Sequence, residues 1–394
     1  MISKNRVKRT ILATVRRIMC GVAPLVYKMM SWGRNRTKAE AATPKRILLL
    51  NGAHIGDIVI STSILPVLRS AFPSAQIGFA TGSWSLMVVQ NHPEIAFTHC
   101  IDHWWLNRQP ESLFRKIRHY NKTRRVAIQQ IRDVHYDLAL CLYPHFQADL
   151  LDVAWHAGIP KRIAFRHSLR AALATDLVQI PESPFIHQGA IQAELLRPLY
   201  LNECNLLRRR SVLLESTDKA LGEVCNLLGV ADIQDARYRI IHMGSGDQKR
   251  ELTPEFWREI ALYLSKSHVV VFTGRGKRES ANIETAIAGI ENCVNACDRL
   301  SWEGFVAAVR YAESLYGVES MAGHVAAAVG TLCKVVYTGI GGVAKWRPES
   351  DLCTVFSNHL ACAPCNWVQE CSHMSCLRTV KPDELIGIDS SDMM

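Results

Sequence analysis

No apolar run in this chain reaches the ~18 residues that a membrane-spanning helix needs, so no segment reads as a transmembrane span. The one stretch resembling a signal-peptide core is split by Arg16 and Arg17, which argues against a cleaved leader. Low-complexity tracts and short-period repeats are absent. The 23 glycines never form a G-x-G-x-x-G after a strand-like run, so the dinucleotide fingerprint is missing. No G-x-x-x-x-G-K-[ST] occurs, which excludes a P-loop, and no G-x-S-x-G, which excludes a nucleophile elbow. Acid is scarce at the start: residues 1–46 hold twelve Lys or Arg against Glu40 alone.

A chain of 394 residues, 48% apolar and 21% charged, suggests two domains with real cores. The net charge of +10 is unevenly spread: the first 46 residues sum to about +11 and the remaining 348 to about −1. Within them Val7, Ile11, Val15, Ile18, Val22, Leu25 and Met29 recur three or four apart, with Lys4, Lys8, Arg9, Arg16 and Arg17 between. A basic amphipathic helix of this kind is expected to lie on an anionic membrane surface. A helix packed on the body, a frayed tail or a transit peptide would read similarly. Only Tyr27 and Trp32 are available there for base stacking, and no nucleic-acid module is visible, so no nucleic-acid partner is expected.

Most of the thirteen cysteines, such as Cys141, Cys225 and Cys333, stand singly in apolar runs and read as small core residues. Without a leader the expected compartment is reducing, and no disulfide framework is inferred. The end of the chain differs. Cys362, Cys365, Cys371 and Cys376 follow C-x₂-C-x₅-C-x₄-C, with His373 inside. Such spacing can close a structural zinc site; unbridged or paired thiols are the alternative.

From Arg46 onward, short apolar runs alternate with helical spacing, the pattern of parallel sheets covered on both faces. Strands are expected at 47–50, 76–81, 136–142 and 161–165, then at 239–242, 268–272, 314–316 and 334–337. Helices are expected at 188–206 and 255–265. Three domains follow: a basic arm over 1–45, a unit over 46–215 and a second over 216–394, with a cleft between the last two. Asp57 falls where the first strand turns into a helix, at the carboxyl edge where open α/β sheets bind ligands. A carboxylate among apolar neighbours there can be tuned as a base, or it can cap the helix that follows.

The ordered motifs resemble those of the bacterial ADP-heptose:lipopolysaccharide heptosyltransferases, glycosyltransferase family nine. Ile55-Gly56-Asp57, then Pro66, Leu68-Arg69 and Phe72-Pro73, are similar to the family's opening signature. Ala157-Gly158 through Arg162-Ile163-Ala164-Phe165 resembles its A-G-x-x-x-R-I-G-F segment. His242-x-Gly244-Ser245-Gly246 resembles H-P-G-x-G, and Thr273-Gly274 with Glu279 resembles T-G-G-x-x-E. Glu319-Ser320-Met321-Ala322-Gly323-His324 resembles D-T-G-P-x-H, and Gly339 to Arg347-Pro348 the loop beyond. Several positions depart: Arg250 stands where the family has a lysine, Leu252 and Thr253 where it has a W-P pair, Glu319 where it has an aspartate, and Met321-Ala322 where it has a glycine-proline pair.

The resemblance implies a GT-B architecture: two facing Rossmann-like domains with a central cleft, the donor nucleotide-sugar on the second and the acceptor on the first. It implies an inverting, metal-independent glycosyltransferase moving a heptose or related sugar from ADP-heptose or a similar donor to a lipopolysaccharide core or related lipid-linked glycan. Asp57 would be the general base. Gly244, Ser245, Gly246, Lys249, Arg250, Gly274, Glu279, Glu319, Ser320, Met321, Ala322, Gly323 and His324 would line the donor site, with Gly56 and Arg162 on the acceptor side. The basic stretch of Arg108, Arg115, Lys116, Arg118, Lys122, Arg124 and Arg125, with Arg166 and Arg170, would suit an acidic acceptor or be a solvated helical face. The protein would work in the cytoplasm, peripheral to the inner face of the bacterial inner membrane. A GT-B-shaped sugar-nucleotide epimerase and an inactive nucleotide-binding scaffold are the alternatives.

Overall fold

The computed structural model describes residues 29, 43–142, 150–166, 170–183, 185–201, 210–213, 215–358, 360–365, 371 and 374–387. The basic arm, Met29 and its last few residues aside, lies outside them, as do His373 and the end of the expected 188–206 helix. Two compact units account for the rest. The first takes the chain up to His54, then Ile64–Glu182 and Gly189–Arg209; the second takes Ile55–Ser63, Ser183–Gln188 and everything from Arg210 on.

The first unit is a six-stranded, all-parallel sheet in the order β3-β2-β1-β4-β5-β6. Its strands are β1 (Arg46–Leu50), β2 (Gln76–Thr81), β3 (Phe97–Cys100), β4 (Leu138–Cys141), β5 (Lys161–Phe165) and β6 (Asp176–Val178). β1 pairs in register with β2 on one side, Leu48 opposite Gly78, and with β4 on the other, Leu48 opposite Ala139. Leu48, Leu49 and Leu50 are buried because the sheet is covered on both faces. The strand order reverses between β1 and β4, which makes the loop after β1 a switch point.

Four helices follow along this stretch of chain: α1 (Ile55–Ser61), α2 (Leu65–Ala71), α3 (Leu113–Val134) and α4 (Leu151–His156). Ser112 caps α3 by accepting from the Arg115 amide, and Ala127, Ile128 and Ile131 seat that helix on the core. α5 (Gln188–Ala193) stops short of its expected end, and the chain tightens into a 3₁₀ stretch, Glu194–Leu199. Pro198 explains this, since its ring would clash with the carbonyl four residues back.

The second unit repeats the topology as β12-β11-β10-β7-β8-β9, again all parallel. The strands are β7 (Tyr238–His242), β8 (Val269–Thr273), β9 (Cys293–Asn295), β10 (Ser314–Val318), β11 (Leu332–Val336) and β12 (Cys353–Phe356). Between them run α6 (Asp218–Leu228), α7 (Pro254–Leu264), α8 (Lys277–Ile287), α9 (Trp302–Tyr311) and α10 (Met321–Val329). Local sequence sets their starts. Thr217, Thr253, Ser301 and Ser320 each accept a backbone N–H inside the first turn, and Pro254 opens α7. Trp257 and Ile260 of α7 pack with Val270, Phe272 and Tyr316 in the core. The switch point here lies between β7 and β10.

The sequence suggested no disulfide, yet Cys333 of β11 and Cys353 of β12 are opposite in register and joined as one. Single-residue context hides such a pair, because only strand pairing brings the two together. Among the described residues no helix is long and apolar enough to cross a membrane.

Trp257 is fully buried. Trp257→Ala is expected to lower the unfolding free energy of the second unit by ~3–5 kcal/mol through the cavity it leaves. Urea denaturation followed by circular dichroism reads this, and a loss below ~1 kcal/mol would contradict the core assignment.

Candidate active site

The residues singled out in the second half all stand at the carboxyl ends of the second unit's strands. Gly244, Ser245 and Gly246 follow β7, Gly274 follows β8, and Glu319 and Ser320 follow β10. Lys249 and Arg250 close a 3₁₀ turn, Gln248–Arg250, and Glu279 is in the first turn of α8. Met321, Ala322, Gly323 and His324 open α10. These loops surround the switch point between β7 and β10, where an open α/β sheet binds ligands.

The segment carrying Asp57 belongs to the same unit. α1 packs on α10, although the chain reaches it directly from a strand of the first sheet. Gly56 is the close contact: a Cβ built there would lie 3.2 Å from His324 Cδ2 and 3.6 Å from Met321 Cα. Asp57 is the third residue of α1, half-buried, and inside the helix rather than at its cap. An acid in a first turn is favoured by the helix dipole. The Asp57 carbonyl accepts the Ser61 hydroxyl at 2.8 Å. Thus the structure brings Gly56 and Asp57 to the residues at the start of α10.

Two of the departing positions, Arg250 and Glu319, are partners. Arg250 Nη1 donates to Glu319 Oε1 at 2.8 Å, and Thr338 Oγ1 donates to Glu319 Oε2 at 2.8 Å. Burial pushes the Glu319 carboxyl up from its ordinary range, against the pull of the Arg250 guanidinium. Arg250 Nε is buried and has no hydrogen-bond partner among the described residues. Glu319 therefore orients a guanidinium that still holds an unused donor.

A second charged group borders the β7 turn. The Ser245 amide donates to Glu251 Oε1 at 2.9 Å, and the Ser245 hydroxyl donates to the Glu319 carbonyl at 3.1 Å. Arg278 bridges Glu251 and Glu279. Glu279 accepts the Arg275 amide at 2.9 Å and lies against Gly244 and Gly274, where side chains would collide with it. Burial first, then the neighbouring Glu251 carboxylate, raises its pKa.

Both histidines of the site are held neutral. His242 is buried at the end of β7 and shares a hydrogen bond with Thr273 Oγ1 at 2.9 Å; burial lowers its pKa to about 4. His324 is lowered to about 3 by burial and the nearby His187. A neutral imidazole can donate one hydrogen bond to an anion but brings no charge.

Not every expected residue joins this group. Arg162 is on β5 of the first unit, and its guanidinium donates to the carbonyls of Ile159, Pro160 and Leu173. Arg124 and Arg170 both pair with the buried Asp152. Cys362, Cys365, Cys371 and Cys376 are free thiols, and no group of three or more His, Cys, Asp or Glu converges for a metal among the described residues. A structural zinc held by these four cysteines would take no part in the chemistry. Sequence reading missed Glu251, Arg278 and Thr338. The first two had a visible trace, a charge beside each assigned residue; Thr338 had none.

Comparison with known proteins gives a concordant picture. The family model described as Glycosyltransferase family 9 (heptosyltransferase) matches residues 124–375, more than half of the chain. The fold resembles a family 9 glycosyl transferase from Veillonella parvula, with a TM-score of 0.70 at 16% identity over 88% of this chain and 96% of that one. It also resembles E. coli ADP-heptose LPS heptosyltransferase II, with a TM-score of 0.64 at 18% identity over 88% and 98%. E. coli heptosyltransferase WaaC with ADP gives 0.65 at 12% identity over 88% and 99%. No curated protein matches in sequence. The two Rossmann-like units are those of a GT-B protein, as the resemblance implied.

The neutral His242 makes a pH prediction. Its folded pKa lies below the unfolded value, so the unfolded chain takes up the proton first as pH falls. Stability is unaffected above pH ~6.5, declines between there and pH ~4, and is constant below. Between pH 7 and 5 the protein should lose ~2 kcal/mol more than His242→Gln does. Urea titrations of both at the two pH values measure this; parallel losses would refute a neutral buried imidazole.

Proposed function

The chain belongs to glycosyltransferase family 9, the heptosyltransferase family, and from that premise we propose that it moves a heptose or related sugar from ADP-heptose or a similar nucleotide-sugar to a lipopolysaccharide core or related glycan, inverting the anomeric centre without a metal. One observation carries the reading: α1, bearing Asp57, packs on the start of α10 through Gly56, beside the loops that end β7 and β10. A base and an anion-binding rim are then parts of one unit.

In this reading Asp57 takes the proton of the acceptor hydroxyl as its oxygen attacks the anomeric carbon, a role worth typically 10²–10⁴-fold. The bond from that carbon to the diphosphate breaks, and its electrons leave with the nucleoside diphosphate. The departing charge needs fixed donors. Arg250, oriented by Glu319, offers its unpartnered Nε, and the amides that open α10 offer further N–H groups. Neutral His324 can add one hydrogen bond, and Lys249 a positive charge at the rim. Glu279, raised in pKa beside Gly244 and Gly274, suits the ribose hydroxyls. The similarly folded structures containing ADP and an ADP-heptose analogue support an adenosine diphosphate donor. The arm over 1–45 is proposed to rest on the inner membrane surface, with the protein working on its cytoplasmic side.

Incubation with ADP-heptose and a panel of truncated cores, read by mass spectrometry, tests the reaction. Asp57→Asn should lower kcat by ~10²–10⁴-fold with ADP affinity intact. Arg250→Gln should weaken ADP binding by ~10-fold or more in calorimetry, as expected for lost hydrogen bonds to a charged group. Near-full transfer by folded Asp57→Asn would remove Asp57 as the base, and unchanged ADP affinity in Arg250→Gln would remove the diphosphate contact.

A further inference from the structure

Helix α3 carries a face that its own unit leaves uncovered. Its other side is accounted for, since Tyr120, Ala127, Ile128 and Ile131 pack into the first core. The open side is made of two adjacent rows four residues apart. One runs Phe114, Arg118, Lys122, Val126; the other runs Leu113, Ile117, Asn121, Arg125, and all are exposed. Phe114 is 75% exposed, Leu113 50% and Ile117 37%. Single exposed apolar side chains are ordinary, but three within two turns at one end of one helix form a patch.

The charge on this helix is equally one-sided. From Leu113 to Arg132 it contains no acid. Three cations are engaged internally: Lys116 Nζ donates to the Asn107 carbonyl at 2.6 Å, Arg124 pairs with Asp152 at 2.7 Å, and Arg132 donates to the His156 carbonyl at 2.7 Å. The side chains of Arg115, Arg118, Lys122 and Arg125 are exposed and make no ion pair or hydrogen bond among the described residues. Arg115 and Lys116 also stand in the first turn, the positive end of the helix dipole, where no acid balances them. Cations there oppose helix formation. The stability of the unit does not account for them, whereas an external anionic surface does.

We propose that this face of α3 docks on an anionic lipid surface, with Leu113, Phe114 and Ile117 in the headgroup boundary and Arg118, Lys122 and Arg125 on lipid phosphates. A soluble phosphorylated glycan would satisfy the cations but leave the apolar patch in water. A nucleic acid would find Phe114 alone to stack on. A bilayer interface meets both halves of the face. This surface is separate from the arm over 1–45, and it stands whether or not a sugar is transferred.

The test is co-sedimentation of the full-length protein with phosphatidylcholine vesicles, with and without phosphatidylglycerol. Leu113→Ser with Phe114→Ser removes the wedge; Arg118→Gln with Lys122→Gln and Arg125→Gln removes the cations. All five positions are exposed, and circular dichroism melts check folding. The parent chain should bind only the phosphatidylglycerol vesicles. Each variant should bind them at least ~10-fold more weakly, and the cation variant should lose salt dependence. Three results would each overturn the proposal: no binding by the parent chain, parent-like binding by both variants (the arm then does all the work), or loss in the cation variant alone, which marks a site for a soluble anion.

Discussion

Gly56 lets α1 lie close against α10, because the space a side chain would need is taken by His324 and Met321. That contact decides which unit α1 belongs to. The chain leaves β1 of the first sheet, and within a few residues it is packed on the second unit. A longer side chain at 56 would have to displace the imidazole, itself half-buried and neutral. Asp57 is therefore positioned by the second unit although its strand is part of the first. The proposed chemistry depends on this, since a base is useful only where it is fixed relative to the leaving group.

Two of the departures from the family pattern, at 250 and 319, are best understood together. An arginine in place of lysine lengthens one partner and makes it a planar fork; a glutamate in place of aspartate lengthens the other. They meet as Arg250 and Glu319, with Thr338 satisfying the second carboxylate oxygen. A buried carboxylate without such partners would be costly. The pair is thus a way of holding a cation at the mouth of β10 while leaving one of its donors unspent. As a pair the two residues keep a positive charge beside the end of β10.

Much of the architecture was legible in the sequence. Apolar runs in both halves gave strands β1, β2, β4 and β5 and their counterparts β7, β8, β10 and β11, with Gln76–Thr81 and Lys161–Phe165 found at their observed ends. The edge strands were not legible. Phe97–Cys100 carries Thr98 and His99, and Cys293–Asn295 is short and half-buried, so neither shows an apolar run. Helix α3 was visible only as a run of charge, because its polar surface outweighs its buried stripe of Tyr120, Ala127, Ile128 and Ile131. In the site, single residues could be named from motif order. Their pairings could not: Arg250 is 69 positions from Glu319, and nothing local links them. Nor does local sequence tell that Arg162 is used up on backbone carbonyls.

A crystal structure with an unreactive ADP-sugar bound tests the central claim most directly. The diphosphate should lie within hydrogen-bond distance of Arg250 Nε and the amides at the start of α10, with the Asp57 carboxylate facing the anomeric carbon. A nucleotide bound away from the β7 and β10 loops, or an Asp57 carboxylate turned from the sugar, would contradict it.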